Sequence, residues 1–299
     1  MGFQPGVTVI CNPACRTPRH LPADYPRIMP RIGRNPVLLF LDFDGTIAPL
    51  RGDPDRITIH ARIRKILGGL ATQGGRRICI VSGRSVRELS SKVTFNAILC
   101  GNHGLEIRGQ GLDFNAAVTA EHHGLLARLE GELRSGIQGY QGLRVVHRGG
   151  SLAVYCVGAK PWEMFWLKKN LAEAVHPYCL SGQLMVRKGR RIYEVIPVVG
   201  WGKRNAIEMI RAHSRFRGRE VPIYIGDDGL DEEGFRAMGR SGISIRVGKT
   251  RSTLAEYYVN DQEELMAFLE RLGKDEVVPV KAGCGSGKLR RPRPGRPRR

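Results

Sequence analysis

An unbroken apolar run, Val37-Leu38-Leu39-Phe40-Leu41, stops abruptly at Asp42-Phe43-Asp44-Gly45-Thr46. Consecutive apolar residues bounded by polar ones read as a strand buried on both faces, the situation of an interior strand in a parallel sheet. A parallel sheet gathers its reactive groups at the carboxyl ends of its strands, and this end carries two carboxylates one residue apart. Left alone they would repel, so the pair suggests a bound cation or an incoming electrophile. The same residues also suit a plain turn at a strand end. Three later motifs, in a fixed order, tip the reading towards chemistry.

The chain around this run alternates strands with helices. Ile59, Ile63, Ile66 and Leu70 recur at helical spacing, and after Gly74-Gly75 a second apolar run follows, Ile78 to Val81. Ser82-Gly83-Arg84 ends it, with Ser85 and Glu88 spaced as a capping box for the next helix. A third run, Ala97 to Cys100, ends in Gly101-Asn102-His103-Gly104. From Leu105 to about Pro197 the rhythm changes to neighbouring strand candidates beside two helices, one through Leu125, Leu129 and Leu133 and one through Trp162, Trp166 and Leu167. That pattern predicts a small α+β lobe inserted in the main sheet. The first rhythm then returns with a helix from Lys203, a strand from Val221 to Ile225 ending in Gly226-Asp227-Asp228, a helix from Asp231, a strand from Ile243 to Val247, and a closing helix through Leu265, Phe268 and Leu272.

At 299 residues and 41% hydrophobic, the chain is long enough for about two domains with a sizeable core. No segment approaches the ~18 consecutive apolar residues of a membrane span and no secretory signal is visible, which points to a cytoplasmic protein without a membrane partner. The seven cysteines are an odd number, several inside apolar runs, and read as reduced buried thiols. The net charge of +20 is concentrated: residues 281–299 carry eight Lys and Arg and no acid. This Gly- and Pro-rich tail, 274–299, is expected to be disordered, serving either as a solubilising appendage or as a non-specific polyanion contact. Residues 1–33, rich in Pro and Arg, are also expected to lack order, and translation starting at Met29 is compatible with that reading.

Asp42, Asp44, Ser82 and Asp227 each follow an apolar strand, so a parallel sheet brings them to one edge. A carboxylate attacking phosphorus needs no deprotonation, but it needs a cation to offset the charge of the phosphate. Asp227 beside Asp42 supplies carboxylates for Mg²⁺, with Asp44 as the candidate general acid and base. Ser82 and the helix N-terminus behind it offer donors to phosphate oxygens. Lys203 offers a cation at a helix start, where the macrodipole disfavours one that has no other purpose.

LDFDGTIAPL, VSGRS, GNHGLEIR, Lys203 and GDDGLDEEGF resemble, in order, the motifs of the haloacid-dehalogenase-like phosphatases. LDFDGT-x-AP, GNHGLE, and EVIP ahead of GWGK look, more narrowly, like the trehalose-6-phosphate phosphatase family. The resemblance spans about Pro36 to Leu272. It implies a Rossmann-like core with a parallel sheet (34–104 and 198–273) and an inserted cap (105–197). It implies Asp42 as nucleophile forming an aspartyl-phosphate, Asp44 as acid and base, and Lys203 as phosphate clamp. Thr46, Ser82, Gly83, Arg84, His103 and Glu194 are implied as substrate-binding residues. Asp42, Asp44 and Asp227 are implied at the Mg²⁺, with Asp228 and Asp231 in support. The reaction implied is Mg²⁺-dependent hydrolysis of trehalose 6-phosphate, with coupling to a trehalose-phosphate synthase.

The chain departs from the family pattern at Leu230 (usually Thr), Ile196 (usually Arg) and Arg204 (usually Gly), which bears on sugar preference more than on chemistry. Plain structural roles stay open for Glu194 as a strand-edge acid, His103 and Glu106 as hinge residues, and Asp231 as a helix N-cap. Two other functions stay open as well. One is a phosphatase of another sugar phosphate, such as sucrose, mannosylglycerate or glucosylglycerol phosphate. The other is a phosphosugar-sensing module whose tail contacts nucleic acid.

Overall fold

The computed structural model describes residues 15–50, 53–216 and 218–274. Its first elements are β1 (Arg19–His20), α1 (Tyr25–Ile32), β2 (Val37–Asp42), α2 (Ala61–Thr72), β3 (Arg76–Val81), α3 (Val86–Lys92), β4 (Ile98–Gly101), β5 (Glu106–Gly109) and β6 (Leu112–Asn115). There follow α4 (Ala120–Gly136), β7 (Arg144–His147), β8 (Leu152–Tyr155), α5 (Pro161–Leu180), β9 (Leu184–Gly189) and β10 (Ile192–Pro197). The chain then returns through α6 (Lys203–Ala212), β11 (Val221–Gly226), α7 (Glu232–Met238), β12 (Ile243–Val247), β13 (Tyr257–Val259) and α8 (Gln262–Lys274).

The apolar run is β2, inside a nine-stranded sheet of order β1-β13-β12-β11-β2-β3-β4-β5-β6. Pairings from β1 to β4 are parallel, and β5 and β6 add an antiparallel edge. Val37, Leu39 and Leu41 pack with Ile63 and Leu67 of α2 and Leu265 and Phe268 of α8. Leu38 and Phe40 pack on the opposite face with Ile207 and Ile210 of α6 and Phe235 of α7. Cover on both faces is the physical reason for an unbroken apolar run where a half-exposed strand would alternate.

Strand order reverses beside β2, with β3 and β4 on one side and β11, β12 and β13 on the other. Such a reversal leaves a crevice at the carboxyl ends of the strands. The register sets Asp42 opposite Val81 and Leu41 opposite Ile225, so the residues after β2, β3 and β11 emerge at one level. Over this edge sits a four-stranded antiparallel sheet, β7-β8-β10-β9. Leu126, Leu129 and Leu133 of α4 and Leu167, Leu171 and Val175 of α5 cover one face of it, meeting Tyr193 and Val195 of β10. The period of two then turns Ile192 and Glu194 to the crevice.

Two boundaries differ from the sequence-based expectation. The lobe expected from Leu105 starts later, because β5 and β6 are hydrogen-bonded to the main sheet and the second sheet begins at Arg144. Asn102 and His103, both at positive φ, turn the chain back beside β4, and Ile107 and Leu112 join the core that β4 faces. Their burial outweighs the polar look of Glu106 and Arg108. The N-terminal segment, expected to lack order through residue 33, is instead built into the sheet from β1 onward. β1 pairs with β13, and Leu21, Ile28 and Ile32 are wholly buried. Pro26 stands at the start of α1, where its missing N–H costs nothing. A chain beginning at Met29 would lack β1 and half of α1. Residues 1–14 and the basic tail from 275 lie outside the described residues.

β13 escaped prediction because three residues carry too little periodicity. Cys79, Cys100 and Cys156 are buried free thiols, as expected of apolar-run cysteines. Among the described residues no helix is long and apolar enough to cross a membrane.

Candidate active site

One carboxylate oxygen from each of Asp42, Asp227 and Asp231 lies within 4.8 Å of the others. Asp231 is already saturated. Its Oδ1 accepts from Lys203 Nζ (2.9 Å) and the Tyr224 hydroxyl (2.7 Å), and its Oδ2 from the backbone N–H of Asp227 (3.0 Å) and Asp228 (3.2 Å). Although Asp231 stands at the N-cap of α7, its side chain caps nothing there, and it anchors the site instead. Removing one member of the buried Lys203–Asp231 pair would strand a charge, at a cost of about 3–5 kcal/mol.

Asp42 and Asp227 have less support. Burial, followed by the charge of Asp231, pushes the Asp42 carboxyl well above its usual range against the pull of Lys203. Burial together with Asp228 and Asp231 pushes Asp227 up to about 8. Asp227 Oδ2 is buried without a hydrogen-bond partner. Gly45, at φ +92°, keeps that oxygen clear, since a Cβ there would lie 2.3 Å from it. Two carboxylates that resist ionisation and an orphaned oxygen are relieved by a bound cation, so the residues fit a hard divalent ion held between Asp42 and Asp227.

Asp44 is not part of that carboxylate cluster. Its side chain receives a two-pronged contact from Arg84, Nε to Oδ2 and Nη2 to Oδ1, each at 2.8 Å. Arg84, expected to touch substrate, is wholly buried and turns Nε and Nη2 to Asp44 and the Pro54 carbonyl. Lys203 is buried as well. Burial opposes its charge, but Asp231 and Asp42 more than offset this and raise its pKa, so the ammonium stays protonated.

Asp42, Asp44, Ser82, Gly83, His103, Glu194, Lys203 and Asp228 all line the cleft. Ser82 Oγ accepts the Arg84 N–H at 3.1 Å, and Ser85 and Glu88 form the capping box of α3. Thr46 is fully buried, its Oγ1 without a hydrogen-bond partner, and it does not line the cleft.

The roof of the cleft is charged. Glu194 of β10 touches His103 Nε2 (2.9 Å) with one oxygen and accepts from Arg148 Nη1 (2.9 Å) with the other. Burial alone would raise its pKa, but His103, Arg148 and Lys203 overcome that and hold it at about 2. Burial lowers the pKa of His103, with Glu194 opposing. Arg148 also donates to the Tyr155 hydroxyl. Asn102 donates to the Arg148 carbonyl (3.0 Å) and accepts from Ser151 (2.7 Å), and Asp228 accepts the backbone N–H of Arg190 (3.2 Å), with burial raising its own pKa to about 6. Core and cap are thus latched shut, and the space between them is about 40 Å³, far below the ~300 Å³ and more of a typical ligand pocket. A substrate of disaccharide size requires the cap to lift.

Arg148, Tyr155, Arg190 and Asn102 were missed by sequence reasoning. Only Asn102 left a signal, since Asn followed by His-Gly suits a left-handed turn. Of the departures, Leu230 lines the cleft, Ile196 is buried in the cap, and Arg204 points to solvent, paired with Glu208 at 2.9 Å.

Comparison with known proteins agrees with this architecture. "Probable trehalose-phosphate phosphatase 3" of Oryza sativa subsp. japonica is 29% identical over 81% of this chain and 70% of its own length. "Probable trehalose-phosphate phosphatase E" of Arabidopsis thaliana is 30% identical over 79% and 70%. The solved C-terminal domain of trehalose-6-phosphate phosphatase from C. albicans superposes with a TM-score of 0.75 at 18% identity, covering 88% of this chain and 99% of that one, a likeness of fold. A Trehalose-phosphatase family model matches residues 40–263, through the catalytic core and the cap alike, and the chain therefore belongs to the trehalose-phosphatase family.

Proposed function

We propose that the protein is a magnesium-dependent phosphatase that releases phosphate from trehalose 6-phosphate. The observation that carries this reading is the placing of Asp42 in one cluster with Lys203, Asp227 and Asp231, beneath a cap whose Glu194 faces down into the cleft. The names of the curated relatives support the sugar. Mg²⁺ held by Asp42 and Asp227 would offset phosphate charge and orient the nucleophile.

The chain's own residues do the rest. Lys203, kept cationic by Asp231, supplies the positive charge for the phosphate oxygens, with the Ser82 hydroxyl as a further donor. A carboxylate oxygen of Asp42 attacks phosphorus, and the bond from phosphorus to the sugar oxygen breaks as Asp44 gives that oxygen a proton. Water then attacks the phosphorus, Asp44 takes its proton, and the bond to Asp42 breaks with its electrons returning to the carboxylate. The cap, lifted to admit the sugar and lowered onto it, keeps bulk water from both steps.

Phosphate release from a panel of phosphosugars, with EDTA and then Mg²⁺ or Ca²⁺, tests the reading. Trehalose 6-phosphate should exceed glucose 6-phosphate, chelation should stop turnover, Mg²⁺ should restore it, and Ca²⁺, with longer and looser coordination, should not. Turnover of another sugar phosphate alone would move the substrate and keep the chemistry. Binding without turnover of any ester would make the domain a sensor. Supply by a trehalose-phosphate synthase and a salt-sensitive polyanion contact through 281–299 complete the proposal.

A further inference from the structure

A run of charged groups joins the general acid to the cap, and the chemistry above does not use it. Arg84 grips Asp44 through two 2.8 Å bonds and the Pro54 carbonyl through a third at 3.0 Å, with its guanidinium over the Phe43 ring at 5.3 Å. Its remaining nitrogen, Nη1, is 3.5 Å from Glu88 Oε1. The other oxygen of Glu88 is 3.7 Å from Nε of Arg148 in the cap, and Arg148 in turn holds Glu194. The sequence of contacts is Asp44, Arg84, Glu88, Arg148, Glu194, crossing from core to cap at Glu88.

A guanidinium bound to both oxygens fixes the plane of a carboxyl group, which a single contact does not. Each oxygen of a carboxyl group has two positions, so the one that Arg84 takes on each leaves another, and one of these can carry the proton. Asp44 lines the cleft and keeps a fifth of its side chain exposed, while Arg84 keeps almost none. The free positions of Asp44 are those from which its proton passes to a leaving oxygen. Glu88 is also tied by the Ser85 N–H and hydroxyl, each at 2.9 Å, so the crossing point belongs to the rigid start of α3.

We propose that Arg84 is a positioning residue for Asp44, and that Glu88 ties this alignment to the docking of Arg148, so that the general acid is aimed when the cap is seated. This rests on the phosphatase reading of Asp44. It predicts a selective defect. An alkyl phosphate must receive a proton on its leaving oxygen as the P–O bond breaks, whereas 4-nitrophenolate leaves without one. A misaimed Asp44 therefore hurts the first ester far more than the second.

The experiment measures kcat/KM, which reports the steps through leaving-group departure, for 4-nitrophenyl phosphate and for the alkyl phosphate the wild type cleaves fastest, with trehalose 6-phosphate included. Arg84→Met should lower the alkyl value about 100-fold, the size of general acid help, and the aryl value at least tenfold less. Arg84→Lys should recover part of the ratio. Glu88→Gln, which keeps an acceptor for the Ser85 cap, should shift the ratio the same way by a smaller factor, and it guards against Arg84→Met failing to fold. Equal losses on both esters, or an unchanged ratio in folded Arg84→Lys and Glu88→Gln, would overturn the proposal in favour of a structural role. The wild-type rate on trehalose 6-phosphate reports separately on the substrate reading.

Discussion

Replacing Gly83 by alanine should unseat the cap and leave the sheet intact. Gly83 is not among the positive-φ glycines, so its backbone accommodates alanine. The added Cβ would lie 2.3 Å from Glu194 Oε1 and 2.8 Å from two atoms of the His103 ring, where ordinary contact begins at 3.4 Å. A free glutamate would swing aside. Glu194 is held by Arg148 on one oxygen and packs against His103 Nε2 with the other, each at 2.9 Å, and only 3% of the residue is exposed. Strand β10 or the whole cap must therefore stand off by about 1 Å, so the cap cannot reseat on the core with Glu194 and Arg148 in place, a misplacement that costs on the order of 100-fold.

The expected result is a fall of that order in kcat/KM for trehalose 6-phosphate, with a much smaller fall for 4-nitrophenyl phosphate, which does not reach the cap. Overpacking should cost about 1–3 kcal/mol of stability in a thermal melt. Sugar turnover within threefold of wild type in a folded Gly83→Ala protein would refute the argument, because it would mean that the Glu194 contacts yield freely.

Asp42→Asn should leave the fold intact and abolish turnover on both esters, since an amide neither attacks phosphorus nor supports the cation, and near wild-type rates in a deamidation-checked sample would exclude the covalent route. Asp227 titrates near 3.8 when unfolded and about 8 when buried, so the folded state holds an extra proton between those values, and metal-free stability should fall as pH rises through that window. The rise in Tm on adding Mg²⁺ should accordingly be larger at pH 8 than at pH 5, and equal increments would contradict the site. A chain begun at Met29 loses the burial of Leu21 and Ile28, worth about 1.5–3 kcal/mol each, and a denaturant titration should show a loss of about 3–6 kcal/mol. Unchanged stability would mean that β1 and the start of α1 contribute nothing.

The sequence alone determined the central strand and its reactive end. Cover on both faces writes itself into composition as Val37–Leu41, and each strand that ends in a polar group announces where that group stands, which is why Asp42, Ser82 and Asp227 were legible together. The capping box of Ser85 and Glu88 was legible because its partners are three residues apart. Tertiary structure decided the rest. Which cation Asp44 would meet depended on a loop 40 residues away, and the pairing of Arg148 with Glu194 spans 46. Asp231 read as a support at the metal or a plain helix cap, and became the anchor of Lys203 only because α6 packs beside β11. β5 and β6 looked like part of the cap because their outward residues are polar, and the inward Ile107 and Leu112 settled them on the main sheet. Local patterns record how far a residue is buried, whereas the identity of its partner is set by how separate elements pack, and that information is not local.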